Sequence, residues 1–216
     1  MSLSSILDEI QKELLKREEV WEVVKQDMRS ATRLSKQAIL LVHKEKNEDA
    51  RELLEEAKRL FSKLRDVSKG YPDLAYTGIV DSAFQEYAEA WTFLCLIETD
   101  RFVNPRELGI PSISYVLGLA DVVGEFRRRA LDAIRKGNVT TAEDCLQKME
   151  HIYTELSNMD EGYLLVSGLR RKCDVARHII ESTRGDVTME ARRSSLEHSI
   201  TRLEKTMRRQ QKSGEA

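Results

Sequence analysis

Gln85-Glu86-Tyr87-Ala88-Glu89-Ala90 and Gly118-Leu119-Ala120-Asp121-Val122-Val123-Gly124-Glu125-Phe126-Arg127-Arg128 decide how this chain is read. Residues three and four apart share one face of a helix. That spacing groups Glu86 with Glu89 and Asp121 with Glu125. The first pair sits among Phe84, Tyr87, Trp91 and Phe93, the second among Leu117, Leu119, Val122, Val123 and Phe126. A carboxylate in apolar company is rarely buried without a partner. Two such pairs on helices lying side by side suggest a shared cation. Spacing alone leaves open the plainer reading, in which the four acids pair with arginines or face solvent.

Two glycines within the second stretch sharpen the question. Gly118 and Gly124 stand in a helix interior, where each costs about 1 kcal/mol against alanine. A close approach by another backbone or a ligand would justify both.

Outward from these motifs the chain is helical throughout. Residues 3 to about 46 contain neither Gly nor Pro, and Leu3, Leu7, Ile10, Leu14, Trp21, Val24, Met28, Ala31, Ala38 and Val42 recur near a 3.5-residue period, interrupted at Arg17 and Ser35. This predicts one long helix with a coiled-coil-like stripe. A turn at Asn47-Glu48-Asp49, with an N-cap, leads to a second helix over 49–68. Gly70 and Pro72 mark the next break. A third helix over 74–100 carries Glu86 and Glu89. A fourth starts from an N-cap at Ser112 and stops at Gly137, carrying Asp121 and Glu125. Thr140 or Thr141 caps a fifth through 158, and a sixth covers 161–183 up to Arg184-Gly185. The last, over 187–212, has a thin stripe of Leu196, Ile200, Leu203 and Met207 and a net charge of +4. Such a stripe suits self-association or a partner groove. No period-two strand pattern occurs. The expected fold is all-α: a bundle of about seven helices with a long N-terminal helix, residues 1–186 as the domain and 187–216 as a basic amphipathic helix packed on it or used in assembly.

Composition excludes several classes. With 35 basic and 37 acidic residues the formal net charge is −2, so any polyanion-binding surface must be a segregated patch. Arg29, Arg33 and Lys36 on the first helix and Lys63 on the second are candidates, although mixed charge on a solvated face and the helix dipole are the plainer accounts of them. Arg128, three residues after Glu125, could contact phosphate or neutralise that acid. Cys95, Cys145 and Cys173 form no CxxC pair, which suits a reducing cytoplasm. No apolar run approaches the roughly 20 residues of a membrane span.

Hard divalent cations take oxygen ligands, and Mg²⁺ prefers one or two carboxylates with retained waters and substrate phosphates. Carboxylates from two helices could therefore support metal-assisted phosphodiester cleavage, with another acid as general base. Redox di-iron chemistry is disfavoured, because neither Glu86 nor Glu125 opens a Glu-x-x-His motif. No Walker loop or Gly-rich dinucleotide fingerprint occurs. Besides a nuclease, an all-α nucleotide pyrophosphatase or a non-catalytic RNA- or DNA-binding scaffold fits these acids. The pyrophosphatases carry ExxE then ExxD, whereas the second pair here is DxxxE.

The same stretches, with Tyr115-Val116-Leu117 before Gly118, Gly137-Asn138, Leu169-Arg170-Arg171-Lys172 and Arg184-Gly185-Asp186, resemble the translin superfamily over roughly residues 1 to 186. They look more like the translin-associated factor X branch than like translin itself. The resemblance implies a hollow, octamer-like assembly that encloses nucleic acid. It also implies binding of single-stranded RNA, with single-stranded DNA as a second ligand, and Mg²⁺-dependent endoribonuclease activity, with Mn²⁺ as an alternative ion. The branch's catalytic acids match Glu86, Glu89, Asp121 and Glu125. A chain acting alone would supply both catalysis and binding as a homo-oligomer. The helix beyond Asp186 goes past the pattern.

Overall fold

A buried α-helix occupies the middle of the N-terminal half, and the reason is compositional. From Tyr87 to Leu96 the residues are almost all apolar around the full circumference, and every one of the ten is buried. A helix apolar all round must be covered on all sides. The computed structural model describes residues 2–214, with side chains described for 2–208 and 210. Within them the chain is all-α: α1 (Leu3–His43), α2 (Asn47–Val67), a 3₁₀ turn (Pro72–Ala75), α3 (Gly78–Thr99), α4 (Pro105–Leu108), α5 (Ser112–Arg135), α6 (Val139–Ser157), α7 (Gly162–Leu165) and α8 (Leu169–Gly214). Among the described residues there is no strand. The chain forms two compact units, Met1–Val122 and Val123–Ala216, and the division falls within α5.

In the first unit α1, α2 and α3 pack on one another. From Val24 onward α1 buries Met28, Ala31, Leu34, Ala38, Ile39 and Val42. Ser35, where the apolar stripe is interrupted, is fully buried as well, and its hydroxyl donates to the Ala31 carbonyl at 2.9 Å. That bond removes the cost of an unpaired buried hydroxyl. Before Trp21 the predicted stripe continues, but Leu3, Leu7, Ile10 and Leu14 are exposed. Phe61 of α2 stacks on Phe84 of α3, with centroids 4.5 Å apart, and tilts against Tyr87 at 5.0 Å. The turn predicted over Asn47-Glu48-Asp49 is already helical, since α2 starts at Asn47 with Lys46 before it. The short connection before α5 holds one further helical turn, α4. There Asn104 and Glu107 cap each other reciprocally and Gly109 closes with φ +68°.

In the second unit α6 and α8 pack together. Gly137 ends α5 in the left-handed conformation, as predicted. Asn138 rather than a threonine caps α6, its Oδ1 accepting from the Thr141 amide at 3.0 Å. The break expected at Arg184-Gly185 does not occur. The helix runs on as α8 because Val187 is buried in a cluster with Ala133 and Ala142, and Arg184 pairs with Glu150 at 2.7 Å. A glycine alone does not stop a helix whose neighbours on both sides are held. The side chains of Arg209 and Lys212, two of the bases of the terminal stretch, and residues 215–216 of the predicted terminal segment lie outside the described residues. No described helix is long and apolar enough to cross a membrane.

Candidate functional site

Helices α3 and α5 approach closely at Gly118. A Cβ on that residue would come 2.5 Å from the Gln85 carbonyl oxygen, 2.8 Å from the Ala88 Cβ and 3.0 Å from the Glu89 amide nitrogen. Gln85, Ala88 and Glu89 thus form the face that α3 turns to α5. Asp121, three residues after Gly118, lies on the matching face. Gln85 Nε2 donates to Asp121 Oδ2 at 2.6 Å. The close approach predicted for Gly118 is therefore real. At Gly124 no other backbone approaches, since a Cβ would meet nothing within 4 Å among the described residues.

The four predicted acids do not behave alike. Glu89 is the most buried, at 9% exposure, in the apolar middle of α3. Glu86 turns toward α1, where Lys36 Nζ lies 3.1 Å from its Oε1. Asp121 takes the Gln85 amide. Glu125 follows Asp121 by one turn along α5, in the second unit, with Arg128 Nη1 at 4.0 Å. Neighbouring Arg127 points another way and donates to Thr183 Oγ1 at 2.9 Å and the Ile179 carbonyl at 3.2 Å.

The donor set is carboxylate oxygen, the chemistry of a hard cation. Among the described residues no three His, Cys, Asp or Glu side chains gather as a ready-made cage. As placed the acids form no all-protein site, and carboxylates of this kind would suit only an ion that keeps waters and takes phosphate oxygens, as Mg²⁺ does. His43 packs its ring against Phe93, and the three cysteines are buried thiols. Burial pushes the Cys145 thiol up to about 11, which suppresses the thiolate needed for nucleophilic chemistry.

The candidate phosphate contacts divide between the helices. Arg29, Arg33 and Lys36 are exposed and recur at four- and three-residue intervals, so they form one stripe on α1. Arg33 reaches Ser30 at 3.5 Å, and Lys36, largely exposed, pairs with Glu86 at 3.1 Å. Lys63 stands 4.0 Å from Asp27. Arg128 is half exposed. Gln85 is the polar partner that reading the acids alone misses. Its place four residues before Glu89, on one face, is the signal that could have found it.

The Translin family model matches residues 16–207. The chain belongs to the translin family. The matched region continues past Asp186, so the far part of α8 lies within the family pattern and is no addition to it. An uncharacterised protein from Methanocaldococcus jannaschii is 31% identical over 193 residues, covering 88% of this chain and 85% of that one. Among solved structures, AfC3PO in its complex with duplex RNA is similar with a TM-score of 0.74 and 34% identity, over 86% of this chain and 96% of that one. Apo-NeC3PO is similar with a TM-score of 0.77 and 27% identity, over 85% and 96%.

Proposed function

We propose that this translin-family chain is a metal-dependent endoribonuclease, closest in its acids to the translin-associated factor X branch. The observation that carries the reading is the α3–α5 crossing. There Gln85, one helical turn before the buried Glu89, donates to Asp121 at 2.6 Å, in a chain 34% identical to a protein solved with RNA. Glu86, Glu89 and Asp121, with Glu125 one turn along α5, are the proposed carboxylates. Mg²⁺, with Mn²⁺ in its place, would neutralise charge on the scissile phosphate and acidify an attacking water.

The chain's own residues do the rest. A carboxylate not engaged by the ion accepts the proton of the attacking water. The α1 stripe of Arg29, Arg33 and Lys36, joined by Lys63 and Arg128, supplies phosphate contacts and makes binding fall with salt. Single-stranded RNA is the proposed substrate, with single-stranded DNA as a second ligand. The exposed apolar residues of α1 before Trp21 and of α8 beyond Ser195 support self-association into an octamer-like homo-oligomer. The buried free thiols support a cytoplasmic setting.

One observation favours a second reading, a non-catalytic RNA-binding scaffold: Glu86 and Asp121 already have protein partners, as structural acids would. Cleavage of a labelled single-stranded RNA with and without Mg²⁺ decides between them. Asp121→Asn is expected to lower Mg²⁺-dependent cleavage at least about a hundredfold, roughly 2.7 kcal/mol of barrier, with RNA binding retained. Undiminished cleavage by Asp121→Asn and by Glu89→Gln sinks the nuclease reading. Tight binding by the wild type without turnover establishes the scaffold. Pyrophosphate release from nucleoside triphosphates would instead indicate the pyrophosphatase.

A further inference from the structure

Gln85 is absent from the set of predicted acids, yet it is held at the α3–α5 crossing twice over. Its backbone is pinned, because its carbonyl oxygen lies where a side chain on Gly118 would have to be. Its side chain spans to α5, where Nε2 donates to Asp121 Oδ2 at 2.6 Å. An ionised carboxylate is acceptor-only, so the amide nitrogen must face it. That bond from a pinned residue restricts the rotamer of Asp121.

The chemistry of this partner differs from that at Glu86. Lys36 brings a positive charge to Glu86, and an ammonium there competes with any incoming cation. A neutral amide does not compete. It satisfies one oxygen and brings no charge of its own, as outer partners of metal-ligating carboxylates do. We propose that Gln85 is a positioning residue for Asp121, its amide holding the carboxylate in the orientation that receives the divalent cation. This inference rests on the metal-site reading proposed above, and it adds a residue that is neither an acid nor a phosphate contact.

Mn²⁺ titration of the full-length protein, read by the loss of the free-ion electron paramagnetic resonance signal, tests it without activity as the readout. Gln85→Met keeps the side-chain length and removes the donor. It is expected to weaken Mn²⁺ binding about tenfold or more while the metal-free melting temperature stays close to that of the wild type. In the Asp121→Asn background the same change is expected to weaken Mn²⁺ no further, because the two residues act as a unit. Unchanged affinity in Gln85→Met overturns the role of Gln85. A full, additive loss in the Asp121→Asn background also overturns it, since that marks a general structural effect. In both cases the metal site itself stands if Asp121→Asn alone weakens Mn²⁺. A wild type that binds no Mn²⁺ overturns the metal reading and this inference together. Should Gln85→Met fail to fold, Gln85→Asn, which keeps the amide but is one methylene short, is measured under the same criteria.

Discussion

The middle of α3 and the far part of α8 are both regular helix with helically spaced apolar residues, and they end in opposite environments. Every residue of α3 from Tyr87 to Leu96 is buried, Glu89 included, whereas every side chain of α8 from Ser195 to Arg208 is exposed. Leu196, Ile200, Leu203 and Met207 of α8 remain 61%, 48%, 63% and 61% exposed. The width of the apolar surface separates the two. On α3 it runs right round, so only several neighbouring helices can cover it. On α8 it is a seam of residues alternately four and three apart, flanked by Arg192, Arg202, Lys205 and Arg208. A seam that narrow is covered by one helix, and exposed apolar surface of this kind marks an interaction site. One region is finished by its own chain. The other is left uncovered by its own chain, and under the proposed assembly a second copy would cover it.

The largest test of that contrast is Gly118→Val. A side chain there must displace the Gln85 carbonyl and Ala88, backbone that is itself packed. It should lower stability by about 3 kcal/mol, the upper end for overpacking, seen as a shift of the denaturant midpoint. If the midpoint is unchanged, the crossing is looser than described and the orientation of Asp121 with it. Gly124→Ala is the matched control on the same helix. With open space at its Cβ, it should raise stability by about 1 kcal/mol through helix propensity alone. A loss would reveal a close neighbour at that position in the assembled protein.

Breaking the pair between Lys36 and Glu86 is a smaller perturbation, because Lys36 is 60% exposed. Lys36→Met should change stability by less than about 1 kcal/mol and should reduce the salt dependence of RNA binding by roughly one phosphate contact. The smallest effect on folding is expected at the α8 seam. Leu196→Ser with Leu203→Ser should move the unfolding free energy of the separated chain by less than about 0.5 kcal/mol each. Sedimentation velocity should nevertheless show a lower association state. A large stability loss with unchanged association would erase the distinction between the two regions.

Much of this was legible beforehand because it depends on neighbours in sequence. The glycine at 137 stops α5 through its own φ, and the Gly-free, Pro-free run before Lys44 sustains 41 residues of α1. Gly118 announced a close approach correctly, since only a missing side chain admits a backbone at that distance. Gly124 announced the same and meets no atom, because an interior glycine reports either contact or mere tolerance and its sequence cannot say which. Gly185 was equally ambiguous: it resembled a stop, but the burial of Val187 and the pairing of Arg184 with Glu150 carry the helix through it.

At the acids the limit is one of direction. Spacing puts Glu86 and Glu89 on neighbouring positions of one helix, but the tertiary contact sends Glu86 to Lys36 of α1 and the neighbouring Gln85 to Asp121 of α5. By itself the sequence determined the helical class, the punctuation between helices and which acids could share a face, all governed by bonds within a turn or two of backbone. Only the tertiary structure decided which face meets which helix, that Gln85 holds Asp121, and that the first stretch of α1 and the stretch of α8 from Ser195 to Arg208 stay uncovered. Those outcomes depend on where residues tens of positions apart come to lie, and helical periodicity carries no information about that.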